Sequence, residues 1–189
     1  MEDKELLNGI IEGKKEASYA MVHQYSGMVF RLAMSFVNNR EDAEDISQEV
    51  FMDAFANISR FRHTSSLSTW LYRISINKSI NFNKKKKQYA FLQPFVNSSH
   101  EKNIDIITEK NNFEISPEDI LVLAEKNKIL YSRINKLPKN QKIAFTLNKI
   151  DGMSYKEISE IMSVSVASVE SLIHRAKMEL QSSLLKLFR

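Results

Sequence analysis

SYKEISEIMSVSVASVESLIHRAK, residues 154–177, reads as two short helices joined by a tight turn. Ser154 stands three residues before Glu157, the spacing of a capping box, in which the hydroxyl and the carboxylate satisfy each other's backbone N–H groups. Ile158 and Ile161 then supply one apolar face. Ser163-Val164 makes the turn. Ser165 offers a second capping hydroxyl, ahead of a helix that turns Val169, Leu172 and Ile173 inward. This is the pattern of a helix-turn-helix. A major groove admits one helix, and residues near its N-terminus reach base edges. Here those are Ser165, Ala167, Ser168, Glu170 and Ser171, with His174, Arg175 and Lys177 further along toward phosphates or a base edge. A plain helical hairpin with a solvated face fits the same pattern. Charge separates the two readings: residues 133–189 carry 10 Lys/Arg against 5 Asp/Glu, which favours a polyanion.

Upstream of this unit, Pro138 opens a helix that Asp151-Gly152 closes, and Ser116-Pro117-Glu118-Asp119 has the form of a helix start. Residues 88–116 hold Pro94, an Asn/Ser cluster at 97–99 and no sustained period, so they read as a linker. Further back the pattern is helical again. Leu6, Leu7, Ile10 and Ile11 form a short set ending near Gly13. Tyr19, Val22, Val29, Leu32, Ala33 and Phe36 follow at helical steps, the expected buried face of a second helix. Asn38-Asn39 breaks it. A third helix runs through Ala43, Ile46, Val50, Phe51, Ala54 and Phe55. After a polar stretch at 57–66, a fourth runs from Leu67 to about Lys87 with Leu71, Ile74 and Ile80 inward.

Composition agrees with helix. Of 189 residues, 43% are hydrophobic, and only four are Gly and three Pro, too few for a sheet with many tight turns. The absence of cysteine excludes disulfides and thiolate chemistry and fits a reducing cytoplasm. The N-terminus has no signal-peptide pattern and no apolar window is long enough to span a membrane, so membrane insertion is not expected. The net charge of +4 conceals an uneven distribution. Residues 1–60 are net −5, residues 61–87 carry seven basic and no acidic residues, and residues 88–120 are net −4.

Two further segments carry chemistry. In 61–87, Phe61, Arg62, His63, Trp70, Tyr72, Arg73, Phe82 and Lys78 interleave aromatic rings with cations, as does the Lys84–Lys87 run. Aromatic faces stack on unpaired bases and cations follow the backbone, which suits single-stranded DNA. A core helix with Trp70 buried reads equally well. In 41–53, Asp42, Asp45 and Glu49 share a helix face. A solvated surface, a carboxylate metal site and a docking surface for a basic partner are all open for it.

Taken in order, these stretches resemble the sigma-70 family of bacterial transcription initiation factors, in its small extracytoplasmic-function form. EDAEDISQEVF (41–51) is similar to the family's polymerase-docking helix, and STWLYRISINK (68–78) to its promoter-melting helix. Leu137-Pro138, Tyr155-Lys156-Glu157-Ile158 and His174-Arg175-Ala176-Lys177 resemble its C-terminal DNA-reading module. The resemblance implies an all-α fold of two small helical domains, 1–87 and 117–189, joined by a flexible linker at 88–116, with the helix-turn-helix in the second. It implies contact between Asp42, Asp45, Gln48 and Glu49 and the clamp of core RNA polymerase. It assigns the loop from Phe61 to Ser68, with Arg62 and Ser65, to a base flipped from the −10 element, and Trp70, Arg73, Asn77 and Lys78 to the DNA beside it. Ser165 to Lys177 would read the −35 element, and the stretch around Leu137 to Leu147 would meet the polymerase flap. The implied partners are core RNA polymerase, promoter DNA and an inhibitory anti-sigma protein. No catalytic residue, cofactor or metal is implied.

The linker then has a purpose. About 30 extended residues reach up to roughly 100 Å, and two promoter elements about two helical turns apart lie near ~70 Å. Its acidic character suits a channel that later holds nascent RNA. Four positions depart from the family pattern. Ser163 stands where Gly is frequent, Ser159 where Ala is, and Ala167-Ser168 where Gly-Thr is. A positive φ at Ser163 is expected to cost about 1 kcal/mol. Two other functions remain to be weighed. One is a stand-alone helix-turn-helix regulator, which leaves 61–87 without a role. The other is a metal-dependent nuclease, against which stand four scattered histidines, at 23, 63, 100 and 174.

Overall fold

Short polar residues set the helix boundaries. The computed structural model describes residues 3–61, 64–92, 126–127 and 129–186, and among these no strand occurs. The N-terminal module contains α1 (Asp3–Ile11), α2 (Lys15–Val37), α3 (Arg40–Asn57), a 3-10 turn (Ile58–Arg60) and α4 (Leu67–Leu92). Asn38 ends α2 in the left-handed region, at φ 51°, and donates its N–H to the Met34 carbonyl. Asn39 is extended and its side chain accepts from the Asp42 N–H at 2.8 Å, capping α3. The expected break at Asn38-Asn39 is therefore both the stop of one helix and the start of the next.

Ser66 caps α4, accepting from the Thr69 N–H at 3.1 Å. The helix then continues to Leu92, so the first residues of the expected linker are helical. The reason is compositional: no Gly or Pro interrupts 84–92. The rest of that linker, the helix start at 116–119, and Arg62 and His63 lie outside the described residues.

The first core joins Leu6, Leu7, Met21, Tyr25, Val29, Ile46, Val50, Leu67 and Leu71. Gly9 lets α1 approach α2: a Cβ there would stand 2.7 Å from the Ala17 Cβ. The Tyr25 hydroxyl donates to Asp3 at 2.6 Å and ties the two helices together; burial, then this contact, raises its pKa. Two expected core residues are not inside. Tyr19 is 74% exposed and Ile11 57%. The buried stripe of α2 runs through Ala17, Met21, Tyr25 and Val29, and at about 100° per residue Tyr19 falls well away from it.

The C-terminal module has a helical segment at 129–134 (α5), then α6 (Lys139–Lys149), α7 (Tyr155–Met162) and α8 (Val166–Leu185). The capping box at Ser154 is formed: its N–H donates to Glu157 Oε2 at 2.8 Å, while the Glu157 N–H donates to Ser154 Oγ at 3.3 Å. These bonds lower the Glu157 pKa. Ser163 takes the positive φ expected of the turn, 55°. The Ser163 N–H reaches the Glu160 carbonyl and the Val164 N–H reaches that of Ser159, the paired bonds of a Schellman motif.

The modules do not stand apart. Leu32, Phe36 and Ile76 of the first pack into one cluster with Ile143, Ala144, Leu147, Ile158 and Ile161 of the second. A smaller cluster of Ile134, Leu137, Ala176 and Leu180 closes the far side of the C-terminal module.

Candidate nucleic-acid interface

On α8 the inward positions are settled by packing: Val169 and Ile173 are buried and Leu172 is half-buried. What remains faces outward. Ser165, Ala167, Ser168, Glu170, Ser171, His174, Arg175 and Lys177 are all exposed. Ser165 caps the helix by accepting from the Ser168 N–H at 3.2 Å. Arg175 folds back on its own helix, donating to Ser171 Oγ at 2.9 Å and to the Ser171 carbonyl at 3.3 Å. Its guanidinium is thus held over the middle of the exposed face.

The second candidate face lies on α4 and the loop before it. Phe61 and Trp70 are half-buried and their rings meet at 5.3 Å, tilted by 54°. Both pack against the first core, so Trp70 is neither wholly core nor wholly surface. Ser65 is half-buried beside the linked hydroxyls of Ser66, Ser68 and Thr69. Asn77 is exposed. Lys78 is committed elsewhere: its ammonium bridges Asp53 at 2.9 Å and Glu49 at 3.1 Å on α3. Those contacts raise its pKa, the Asp53 hydrogen bond most of all.

The acidic helix divides in two. Asp45, Gln48 and Glu49 are exposed. Asp42 is only 8% exposed, accepts from Lys86 on α4, and sits at the capped start of α3. The structure therefore separates Asp42 from the three residues with which it was grouped. Met52, 69% exposed and one turn beyond Gln48, extends the open face. Helical spacing alone placed it there; its apolar character hid it from a search for charge. Among the described residues no group of His, Cys, Asp or Glu is arranged to hold a metal ion, and no helix is long and apolar enough to cross a membrane.

Arg73 is the least expected. It was grouped with Trp70, Asn77 and Lys78, but its guanidinium crosses to the C-terminal module. It donates to the carbonyls of Glu160 at 2.7 Å and Ile161 at 3.1 Å, and to the Ser163 hydroxyl at 3.3 Å. Two residues of the C-terminal module, missed in the sequence, answer it. Lys142 is buried and donates to the Phe36 carbonyl of α2. Asp151 is near Arg31 and Tyr72 of the N-terminal module. Burial pushes its pKa up to about 6, with Arg31 opposing. The same carboxylate helps burial raise the Tyr72 hydroxyl to about 12.

Known proteins match this arrangement along the chain. Residues 21–89 match Sigma-70 region 2, and residues 127–180 match Sigma-70, region 4. The chain is 33% identical to the ECF RNA polymerase sigma-E factor of Haemophilus influenzae, over 93% of this chain and 91% of that one. It is 31% identical to the ECF RNA polymerase sigma factor SigW of Bacillus subtilis, over 96% of each. Two solved structures share the fold. CnrH in complex with the cytosolic domain of CnrY superposes with a TM-score of 0.65 at 22% identity, covering 98% of this chain and 97% of that one. The sigma factor RpoE with the anti-sigma factor NepR from Bartonella quintana gives 0.56 at 21%, covering 90% and 98%.

Proposed function

The chain belongs to the extracytoplasmic-function group of the sigma-70 family, transcription initiation factors rather than enzymes, and from that premise we propose how its residues divide the work with core RNA polymerase and promoter DNA. Asp45, Gln48 and Glu49, with Met52 beside them, dock on the polymerase clamp; Asp42 supports them by capping α3 and pairing with α4. The loop after Phe61 and the face of Trp70, Arg73 and Asn77 meet the opened −10 strand. Lys78 joins them by exchanging its carboxylate partners for phosphate. The exposed face of α8, from Ser165 to Lys177, reads the −35 element. The residues between α4 and α5 tether the two readers, and the work is done in the cytoplasm, where chromosome and polymerase meet. An anti-sigma protein is the expected inhibitor, since one neighbour of this fold, the sigma factor RpoE, is seen in complex with the anti-sigma factor NepR.

One observation carries this reading: a bare helix-turn-helix face on a cationic module coexists with an open carboxylate ridge on the other. A stand-alone DNA regulator has no use for the ridge. Reconstitution with core polymerase tests it. The purified chain is expected to co-elute with core enzyme, give specific transcripts, and expose unpaired promoter thymines to permanganate only when both are present. Asp45→Arg places a cation on the docking ridge and is expected to lower core affinity about tenfold or more without changing helix content. Full core binding by this variant and by Gln48→Ala removes the ridge assignment; no complex with the parent chain removes the whole reading.

A further inference from the structure

The chain has no cysteine, so its sulfur chemistry rests on eight methionines. Oxidants in solution select the thioethers they can reach. Met21 and Met34 are buried in the first core, and Met28, Met153 and Met162 are half-buried. Among the described residues two methionines are open: Met178 on α8, 56% exposed, and Met52 on α3, 69% exposed. Their surroundings differ. Met178 lines an apolar groove with Leu185 near the end of α8. Met52 lies in the carboxylate ridge. At about 100° per residue it falls about 20° from Asp45 and between Gln48 and Glu49, at the middle of the exposed stripe. The buried side of α3, through Ala43, Ile46, Val50 and Ala54, faces the other way. Polar groups around one apolar side chain are the anatomy of a protein contact, and methionine is favoured at its centre.

Resting on the reading above, that this ridge docks on core polymerase, we propose that Met52 is an oxidative modification site: a peroxide converts its thioether to the sulfoxide, and the modified ridge loses its hold on core polymerase. A sulfur lone pair attacks one oxygen of hydrogen peroxide, the S–O bond forms and the O–O bond breaks. The sulfur gives up two electrons, the peroxide takes them, and its second oxygen leaves with both protons as water. Hydrogen peroxide is uncharged, so the carboxylates around the sulfur do not repel it. In the free chain the sulfoxide remains hydrated and the packed side of α3 is untouched. At the docked surface the same group has to give up its water, and the apolar contact of the thioether is lost. The penalty therefore falls on docking and not on folding. It is reversible, because methionine sulfoxide reductases remove the oxygen, one enzyme for each epimer.

The full chain tests this. It is treated with hydrogen peroxide, cleared with catalase and titrated against core polymerase, and the sulfoxide is located by peptide mass spectrometry. Met52 is expected to be modified ahead of the buried Met21 and Met34. Its modification is expected to weaken core binding about tenfold, the scale of losing one buried apolar side chain, with the helical circular dichroism unchanged. The two reductases together are expected to restore binding. The loss on treatment is then compared between variants. Met178→Leu is expected to show the same loss as the parent. Met52→Leu, whatever its own starting affinity, is expected to show none, because leucine takes up no oxygen. A parent chain modified at Met52 that binds core as before overturns the proposal. So does a parent whose Met52 is spared while Met21 and Met34 react, or an equal loss in Met52→Leu. An untreated parent chain that does not bind core refutes the docking reading itself, and the proposal falls with it.

Discussion

The two reading helices face opposite circumstances. On α8 every candidate reading residue is exposed, and the most constrained of them, Arg175, is held only by Ser171 of its own helix. On α4 three of the candidates are engaged: Trp70 with Phe61, Lys78 with two carboxylates of α3, and Arg73 with the end of α7. A helix that reads duplex DNA needs only to present an outer face. A helix that takes hold of an opened strand uses rings and cations that are costly to leave unpartnered, so in the free chain they find partners within the protein.

Four experiments break or sharpen this contrast. The largest effect is expected from Ile173→Ala. This side chain is 1% exposed beneath the α8 face, and its loss should destabilise the C-terminal module by about 2–5 kcal/mol in denaturant melts. Duplex binding should fall with the folded fraction. Next comes Trp70→Ala, expected to impair promoter opening, read by permanganate, more than initial promoter binding, read by footprinting. Equal loss of both would mark Trp70 as packing for Phe61 and the first core.

The third is a pH titration of closure, the packing of the two modules against each other. Asp151 has Arg31 of α2, Tyr72 of α4 and Tyr131 of α5 within electrostatic reach, and Glu157 of α7 acts on the same Tyr72. One oxygen of its carboxyl, Oδ2, is buried without a hydrogen-bond partner. Its pKa in the closed form is raised from 3.8 to about 6, so closure takes up a proton. The contribution to closure is full below the ordinary value, declines as pH rises toward 6, and is lost above it. Distances between spin labels placed one on each module should therefore show more opening at pH 7 than at pH 5, and Asp151→Asn should flatten that dependence. A parent chain with no change between the two pH values would separate Asp151 from the seam. The smallest effect is expected from Ser163→Gly, which relieves a positive φ of 55° and should stabilise the C-terminal module by up to about 1 kcal/mol in thermal melts. Its hydroxyl is also an acceptor for Arg73, so a small loosening of the seam should accompany the gain.

The local features were legible because their causes are local. Ser154 and Glu157 are three residues apart, so their capping box needs nothing beyond the helix they begin. The Asn38-Asn39 break, the turn strain at Ser163, and the outward face of α8 follow from periodicity and backbone preference in the same way. Misreadings arose where a short pattern had more than one solution. Tyr19 continues the helical spacing but lies off the buried stripe. The end of α4 was placed at the lysine run, although lysine is a good helix former and the helix runs on through Leu92.

By itself the sequence determined the helices, their caps, the two charged regions and the family, since each is written in neighbouring residues or in motifs read in order. Only the tertiary structure decided which of the candidate contacts are free. Arg73 and Glu160 are 87 positions apart, Lys142 and Phe36 are 106, and Lys86 and Asp42 are 44. No periodicity links such residues. They meet because cations at packed surfaces find acceptors and apolar faces must be covered, and those demands are met across the whole fold rather than along the chain.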